Sequence, residues 1–90
     1  MARYIGLHTL PGFTREALAA ATPMLGTTKG ATFMRAYSGF RDGKVVCEFD
    51  AASKDAVAQA YKELGFPYDE IVEVEAICDA GEQGVSTRYT

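Results

Sequence analysis

Residues 31–50, ATFMRAYSGFRDGKVVCEFD, decide the reading of this chain. Thr32, Met34 and Ala36 alternate with Phe33, Arg35 and Tyr37, and after a turn Val45, Cys47 and Phe49 alternate with Val46 and Glu48. A period of two sends successive side chains to opposite faces of a pleated strand. Asp42-Gly43 between two such runs is a strong hairpin signal, because glycine accepts the positive φ that a tight turn imposes. The stretch therefore reads as a hairpin with one apolar face and a second face carrying Arg35, Tyr37 and Glu48.

Working outward on the N-terminal side, residues 3–10, RYIGLHTL, also alternate, with Ile5, Leu7 and Thr9 on one face and Tyr4, Gly6 and His8 on the other. Gly6 removes a side chain in mid-strand and leaves room for another group to approach. Pro11-Gly12 ends the strand. Thr14 is a candidate N-cap for a helix toward Leu25, with Glu16 placed favourably in the first turn. Ala17, Leu18, Ala21 and Leu25 form its apolar stripe, and Pro23 stops or kinks it near Ala21. Gly26 to Gly30 reads as a loop.

On the C-terminal side, Ser53 caps a second helix whose apolar face is Ala56, Val57, Ala60, Tyr61 and Leu64. Gly65 followed by Pro67 marks its end. Residues 69–78, DEIVEVEAIC, read as a fourth strand with Val72, Val74 and Ala76 on one face and Ile71, Glu73, Glu75 and Ile77 on the other. Residues 79–90 read as a flexible polar tail. Val85 to Thr90 have a second reading, as a short strand added to a neighbour's sheet edge.

The order is β-α-β-β-α-β, which predicts an α+β, ferredoxin-like domain over residues 1–78. In that plan both helices cover one face of a four-stranded antiparallel sheet. Ninety residues fit one domain, and a chain of this size buries only about 60–65% of its unfolded surface.

Composition excludes several function classes. The net charge is −3 and the nine basic residues are scattered, so the phosphate-neutralising stripe of a nucleic-acid binder is missing. The same balance disfavours an anionic membrane surface. No apolar run approaches the ~20 residues needed to span a bilayer, and the first ten residues lack a signal-peptide core. A cytoplasmic location is the expectation. Cys47 and Cys78 form no CxxC or zinc-finger spacing. A Ser-His-Asp triad, a P-loop, GxGxxG and HExxH are all missing, so no nucleotide or haem signature is present and no catalytic residue is assigned.

Giving the most apolar side of each strand to the helices leaves an open sheet face with Tyr4, Gly6, His8, Phe33, Arg35, Tyr37, Val46, Glu48, Ile71, Glu73, Glu75 and Ile77. So much apolar area predicts a covering partner, a homodimer through the sheet face. His8, the only histidine, is a candidate metal ligand or acid–base group, or simply a hydrogen-bonded strand histidine. Glu48, Glu73 and Glu75 complete an N/O set suited to a first-row divalent ion, or belong to a solvated acidic face, a reading that fits Glu75 better than Glu48. Arg35, Tyr37 and Tyr4 are candidate ligand-binding residues, a guanidinium fork and two directed phenols suiting a small carboxylate. Arg35 can equally pair with Glu48 across the hairpin, a contact contributing about 0.2–1 kcal/mol. Cys47 reads as core, and as a thiolate it would suit a soft metal. These faces depend on register, since a slip of one residue inverts a strand.

His8 with Leu10-Pro11-Gly12, then Gly43-Lys44-Val45-Val46-Cys47, Phe49-Asp50-Ala51, and the run Gly65-Phe66-Pro67 to Ile71-Val72-Glu73-Val74 resemble a small ferredoxin-like family of unknown function. That family includes a dimeric, nickel-binding member. The similarity covers about residues 3–77. It implies a homodimer binding nickel or a related divalent ion, with His8 and Cys47 as the carried-over positions. One departure bears on this: relatives often have a histidine in the second helix where this chain has Tyr61. The functional expectation is a metal-binding homodimer without catalysis. The alternative is a dimeric α/β-barrel enzyme, a cofactor-free monooxygenase or isomerase acting on a small aromatic molecule, with a plain structural or regulatory module as a third reading.

Overall fold

The computed structural model describes residues 1–28 and 30–90. Along the chain lie β1 (Ala2–Thr9), α1 (Arg15–Ala21), a 3-10 turn (Thr22–Met24), β2 (Thr27–Thr28), β3 (Ala31–Gly39), β4 (Lys44–Ala51), α2 (Lys54–Leu64), β5 (Glu70–Glu73), β6 (Ala76–Gly81) and β7 (Gly84–Tyr89). The main sheet has the order β2-β3-β4-β1-β5, with each neighbouring pair antiparallel. Its inner strands are β3, β4 and β1, with β2 and β5 at the edges. The fold is thus α+β with two helices on an antiparallel sheet.

Local chemistry sets the element ends. Thr14 Oγ1 accepts from Ala17 N at 3.1 Å and Ser53 Oγ from Ala56 N at 3.1 Å, each satisfying a backbone donor that a helix start leaves open. Pro23 sits at the start of the 3-10 turn that ends α1. Gly65 ends α2 at φ 74°, where a Cβ would be strained. Leu18 and Ala21 of α1 and Tyr61 of α2 line one cavity against Phe33, Val45 and Phe49, so both helices cover the same sheet face.

Three parts of the sequence reading need correction. First, Thr27–Thr28 pair with Thr32 and Ala31 as a fifth, edge strand within the stretch read as a loop; Lys29, also in that stretch, lies outside the described residues. Second, β6 and β7 form a separate antiparallel hairpin across the expected domain boundary at residue 78 and through most of the expected tail. The predicted fourth strand breaks at Val74-Glu75 into β5 and β6.

The third correction concerns faces. In β1, Tyr4, Gly6 and His8 are buried while Ile5 and Leu7 are half-buried. Tyr4 stands opposite Phe49, Gly6 opposite Cys47 and His8 opposite Val45, so these three face the helices and Ile5 and Leu7 face the open side. Ile71, opposite Gly6, is likewise core, and Val72, opposite Ile5, is exposed. In β3 the register shifts between Phe33 and Arg35. Met34 is the extra residue of a β-bulge, so Phe33 (opposite Phe49) and Ala36 (opposite Cys47) face the helices together although three residues apart. Arg35, Tyr37, Val46 and Glu48 keep their predicted place on the open face.

The core gathers Tyr4, Phe49, Val57, Ala60, Tyr61 and Ile71. Phe49 meets both Phe33 and Tyr61 edge-on, with ring centroids 5.6 and 5.4 Å away, the arrangement that aromatic quadrupoles favour. Among the described residues, no helix is long and apolar enough to cross a membrane.

Candidate functional site

Gly6 marks the closest approach of sheet and helix. A Cβ built on it would stand 1.9 Å from Tyr61 Oη, so the phenol occupies the space that a side chain on β1 would otherwise fill. This explains why β1 presents its less aliphatic face to the helices: only the Tyr4-Gly6-His8 side has the gap that admits Tyr61.

His8 lies two residues further along the same face and is 3% exposed. Its Nδ1 is 2.8 Å from the Pro67 carbonyl oxygen. A carbonyl only accepts, so Nδ1 carries the proton and donates, and Nε2 of the neutral ring keeps its lone pair. The imidazole meets the Tyr61 ring edge-on with centroids 4.6 Å apart. Among the described residues, buried His8 Nε2 and Tyr61 Oη have no hydrogen-bond partner. Both side chains, with Cys47, Leu10, Leu18 and Phe66, border a cavity of about 40 Å³.

Burial pushes the Cys47 thiol up, an effect that the nearby Tyr61 phenol partly offsets. Burial pushes the Tyr61 phenol well above the usual tyrosine range, and Cys47 adds to the rise. The thiol and phenol are close enough to influence each other's ionisation, although no hydrogen bond of ordinary geometry joins them. A thiol whose folded value is raised favours folding while it stays protonated. That contribution is present below the unfolded thiol's value of about 8.5 and is lost as pH rises through the folded one. Near neutral pH, Cys47 should therefore react with maleimide far more slowly in the folded chain than in denaturing urea, as read by peptide mass mapping. Equal rates would place the thiol at the surface.

The structure brings together only part of the predicted metal set. His8 and Cys47 share the buried cavity. Glu48 lies on the opposite face, in ion pairs with Arg3 and with Arg35 Nε, the latter at 3.6 Å. Glu73 is an exposed edge residue opposite Tyr4. Among the described residues, no group of three or more His, Cys, Asp or Glu side chains is placed to hold a metal ion. Of the predicted ligand-binding residues, Arg35 and Tyr37 share the open face, and Tyr4 is in the core instead. Cys47 and Cys78 are both free thiols.

The donor chemistry fits an ion in part. An imidazole with one nitrogen fixed by a carbonyl and the other free has the outer-shell support typical of metal-ligating histidines. The Cys47 thiol and the Tyr61 phenol are protonated at neutral pH, so either would release a proton on binding a metal.

Three participants were missed by the sequence reading. Tyr61 was read as core, and the signal that it reaches the site is Gly6. Arg3, which also donates from Nε to Asp50 at 2.7 Å, becomes visible once β1 and β4 are paired. The Pro67 carbonyl leaves no side-chain signal at all.

A family model described as "Nickel responsive protein SCO4226-like" matches residues 4–74. Among solved structures, the chain is similar to SCO4226 from Streptomyces coelicolor A3(2), at 25% identity and a TM-score of 0.72, over 81% of this chain and 95% of that one. No curated protein matches the chain.

Proposed function

Since the chain belongs to the SCO4226-like family of nickel responsive proteins, we propose that it binds a divalent metal ion, nickel first among them, without catalysing a reaction. His8 Nε2 is the leading donor and Cys47 Sγ the second. The observation that carries this reading is a buried imidazole whose Nδ1 is tied to the Pro67 carbonyl while Nε2 has no hydrogen-bond partner among the described residues, on a ring that lines the same cavity as a thiol. We read the strand order as the ferredoxin-like plan, consistent with the solved relative. Two free thiols suit a reducing compartment such as the cytoplasm.

The enzyme alternative draws little from the cavity. Its volume of about 40 Å³ is well below the roughly 150 Å³ of an apolar cavity that admits benzene.

Calorimetric titration of the metal-free chain with nickel tests the proposal. Loss of an outer-shell partner lowers metal affinity roughly 10–100-fold, so His8→Ala should lower it at least that much. Glu48→Gln should leave it unchanged, because that carboxylate is on the other face. Tyr61→His should raise affinity by placing a second imidazole beside the first. Absence of binding heat in the wild type, or equal affinity in His8→Ala, refutes the assignment.

A further inference from the structure

The space between α1 and the sheet is built but unfilled. On α1 and the residues flanking it, Phe13, Leu18, Ala21 and Leu25 line the cavity that His8 and Tyr61 also border. Of these four only Ala21 is buried, and the other three are half-buried. Among the described residues, the core around Tyr61 contains no residue of α1. A surface helix ordinarily packs its apolar stripe against other atoms, whereas this one borders a gap.

The gap persists because α1 is held from both ends. Ahead of it, Leu10 N donates to the Gly43 carbonyl oxygen at 2.7 Å, and beyond it Phe33 N donates to the Gly26 carbonyl oxygen at 2.8 Å. Phe13 rests against Phe40, with ring centroids 6.0 Å apart, and the Arg15 guanidinium lies 5.1 Å from the centre of the same ring. These contacts tie the helix to β3 and to the β3–β4 turn, so it spans the void rather than closing it.

The inner wall adds two polar atoms with nothing to bond. His8 is 3% exposed and Tyr61 1%, and neither Nε2 nor Oη has a partner among the described residues. Their rings are in edge contact at 4.6 Å, so one small molecule can serve both. With Nδ1 committed to the Pro67 carbonyl, Nε2 only accepts, whereas a phenol both donates and accepts. Buried polar groups are rarely left unpaired without a reason.

The complement of this wall is a hydroxyl, which donates to Nε2 and accepts from Tyr61 Oη. Most of the remaining lining is hydrocarbon, including Leu10, Leu18, Leu25 and Phe33, so the hydroxyl should carry a short apolar body. A volume of about 40 Å³ holds roughly three water-sized groups, which suits a two-carbon chain and excludes an aromatic ring. A carboxylate has no proton for Nε2, and like an ammonium group it would bring an unpaired charge into an apolar space.

We propose that this cavity is a binding site for a short-chain alcohol. His8 Nε2 accepts from its hydroxyl, Tyr61 Oη donates to its oxygen, and α1 covers its carbon chain. The site goes beyond the metal reading and does not rest on it, although an ion on Nε2 would exclude the alcohol.

Titration of the metal-free full chain with ethanol, followed by NMR through the Leu18 and Leu25 methyls and the His8 ring, tests the assignment. The shifts should saturate. Tyr61→Phe should weaken binding about 10-fold, the scale of one net hydrogen bond, even though the free chain is expected to gain stability from the same change. A merely structural role for Tyr61 would not separate the two. Leu18→Phe, which fills the cavity from a half-buried position, should abolish saturation while the circular dichroism spectrum is unchanged. Acetonitrile, of similar size but with no proton to give Nε2, should bind about 10-fold more weakly than ethanol. Ethanol shifts that rise without saturating overturn the proposal, as do equal affinity in Tyr61→Phe, saturation retained in Leu18→Phe, or acetonitrile binding as tightly. Saturation by ethanol without nickel binding supports this site and refutes only the metal reading; nickel binding without ethanol saturation does the reverse.

Discussion

Gly6→Ala lowers the midpoint of thermal unfolding by about 12–24 °C, corresponding to a loss of about 3 kcal/mol at 4–8 °C per kcal/mol. The added methyl would meet Tyr61 Oη at 1.9 Å and its Cζ at 2.7 Å. Neither atom can yield cheaply. The Tyr61 ring is 1% exposed and is held between His8, Phe49 and Tyr68, at centroid distances of 4.6, 5.4 and 5.3 Å. Backbone freedom is not the issue, because Gly6 is an ordinary strand residue that lacks a positive φ. The cost is steric and should depend on the ring. In a Tyr61→Leu background the same glycine change should cost less than about 1 kcal/mol, a coupling that a double-mutant cycle measures. Additive costs would show that the close approach is not what constrains Gly6.

Tyr61 itself should give two opposite results. Tyr61→Ala removes a fully buried ring and leaves a cavity, costing about 3–5 kcal/mol. A domain of this length has about 5–13 kcal/mol in all, so that loss approaches unfolding. Tyr61→Phe keeps the ring and deletes a hydroxyl that has no hydrogen-bond partner among the described residues. A buried, unsatisfied polar group costs about 1–3 kcal/mol, so Tyr61→Phe should be more stable than the wild type by about 1 kcal/mol. Urea denaturation of the three proteins reads both changes. If Tyr61→Phe is the less stable chain, the hydroxyl is satisfied and the site's polar accounting is different.

Some of this structure is legible in the residues alone. The turn at Asp42-Gly43, the caps at Thr14 and Ser53 and the stop at Gly65 act through local chemistry, and each lies where the sequence predicts. The faces of β1 and β5 do not follow from hydropathy, because a strand's more aliphatic side need not be the one its own helices cover. Ile5 and Leu7 outrank Tyr4, Gly6 and His8 on any apolar scale, yet the helix side needs a gap for Tyr61 and a carbonyl for His8. Inverting β1 takes His8 away from Glu48 and puts it beside Cys47, which divides the predicted metal set in two. His8 and Cys47 were nevertheless both named, from imidazole and thiolate chemistry and again through the short motifs, but not as neighbours. The Pro67 carbonyl is invisible in principle, since every residue has one.

The bulge at Met34 changes how this strand can be edited. Alternation works as a parity code, and Met34 is one inserted character: odd positions face the helices up to Phe33, and even positions do so from Ala36 onward. Deleting that character forces a choice between the Phe33–Phe49 contact and the Arg35–Glu48 pair, since restoring one register inverts the other half. A residue lost within the turn at 40–42 shortens a loop and leaves both frames intact. A deletion at the tip of the hairpin should therefore cost little stability, and one in its stem should cost much more.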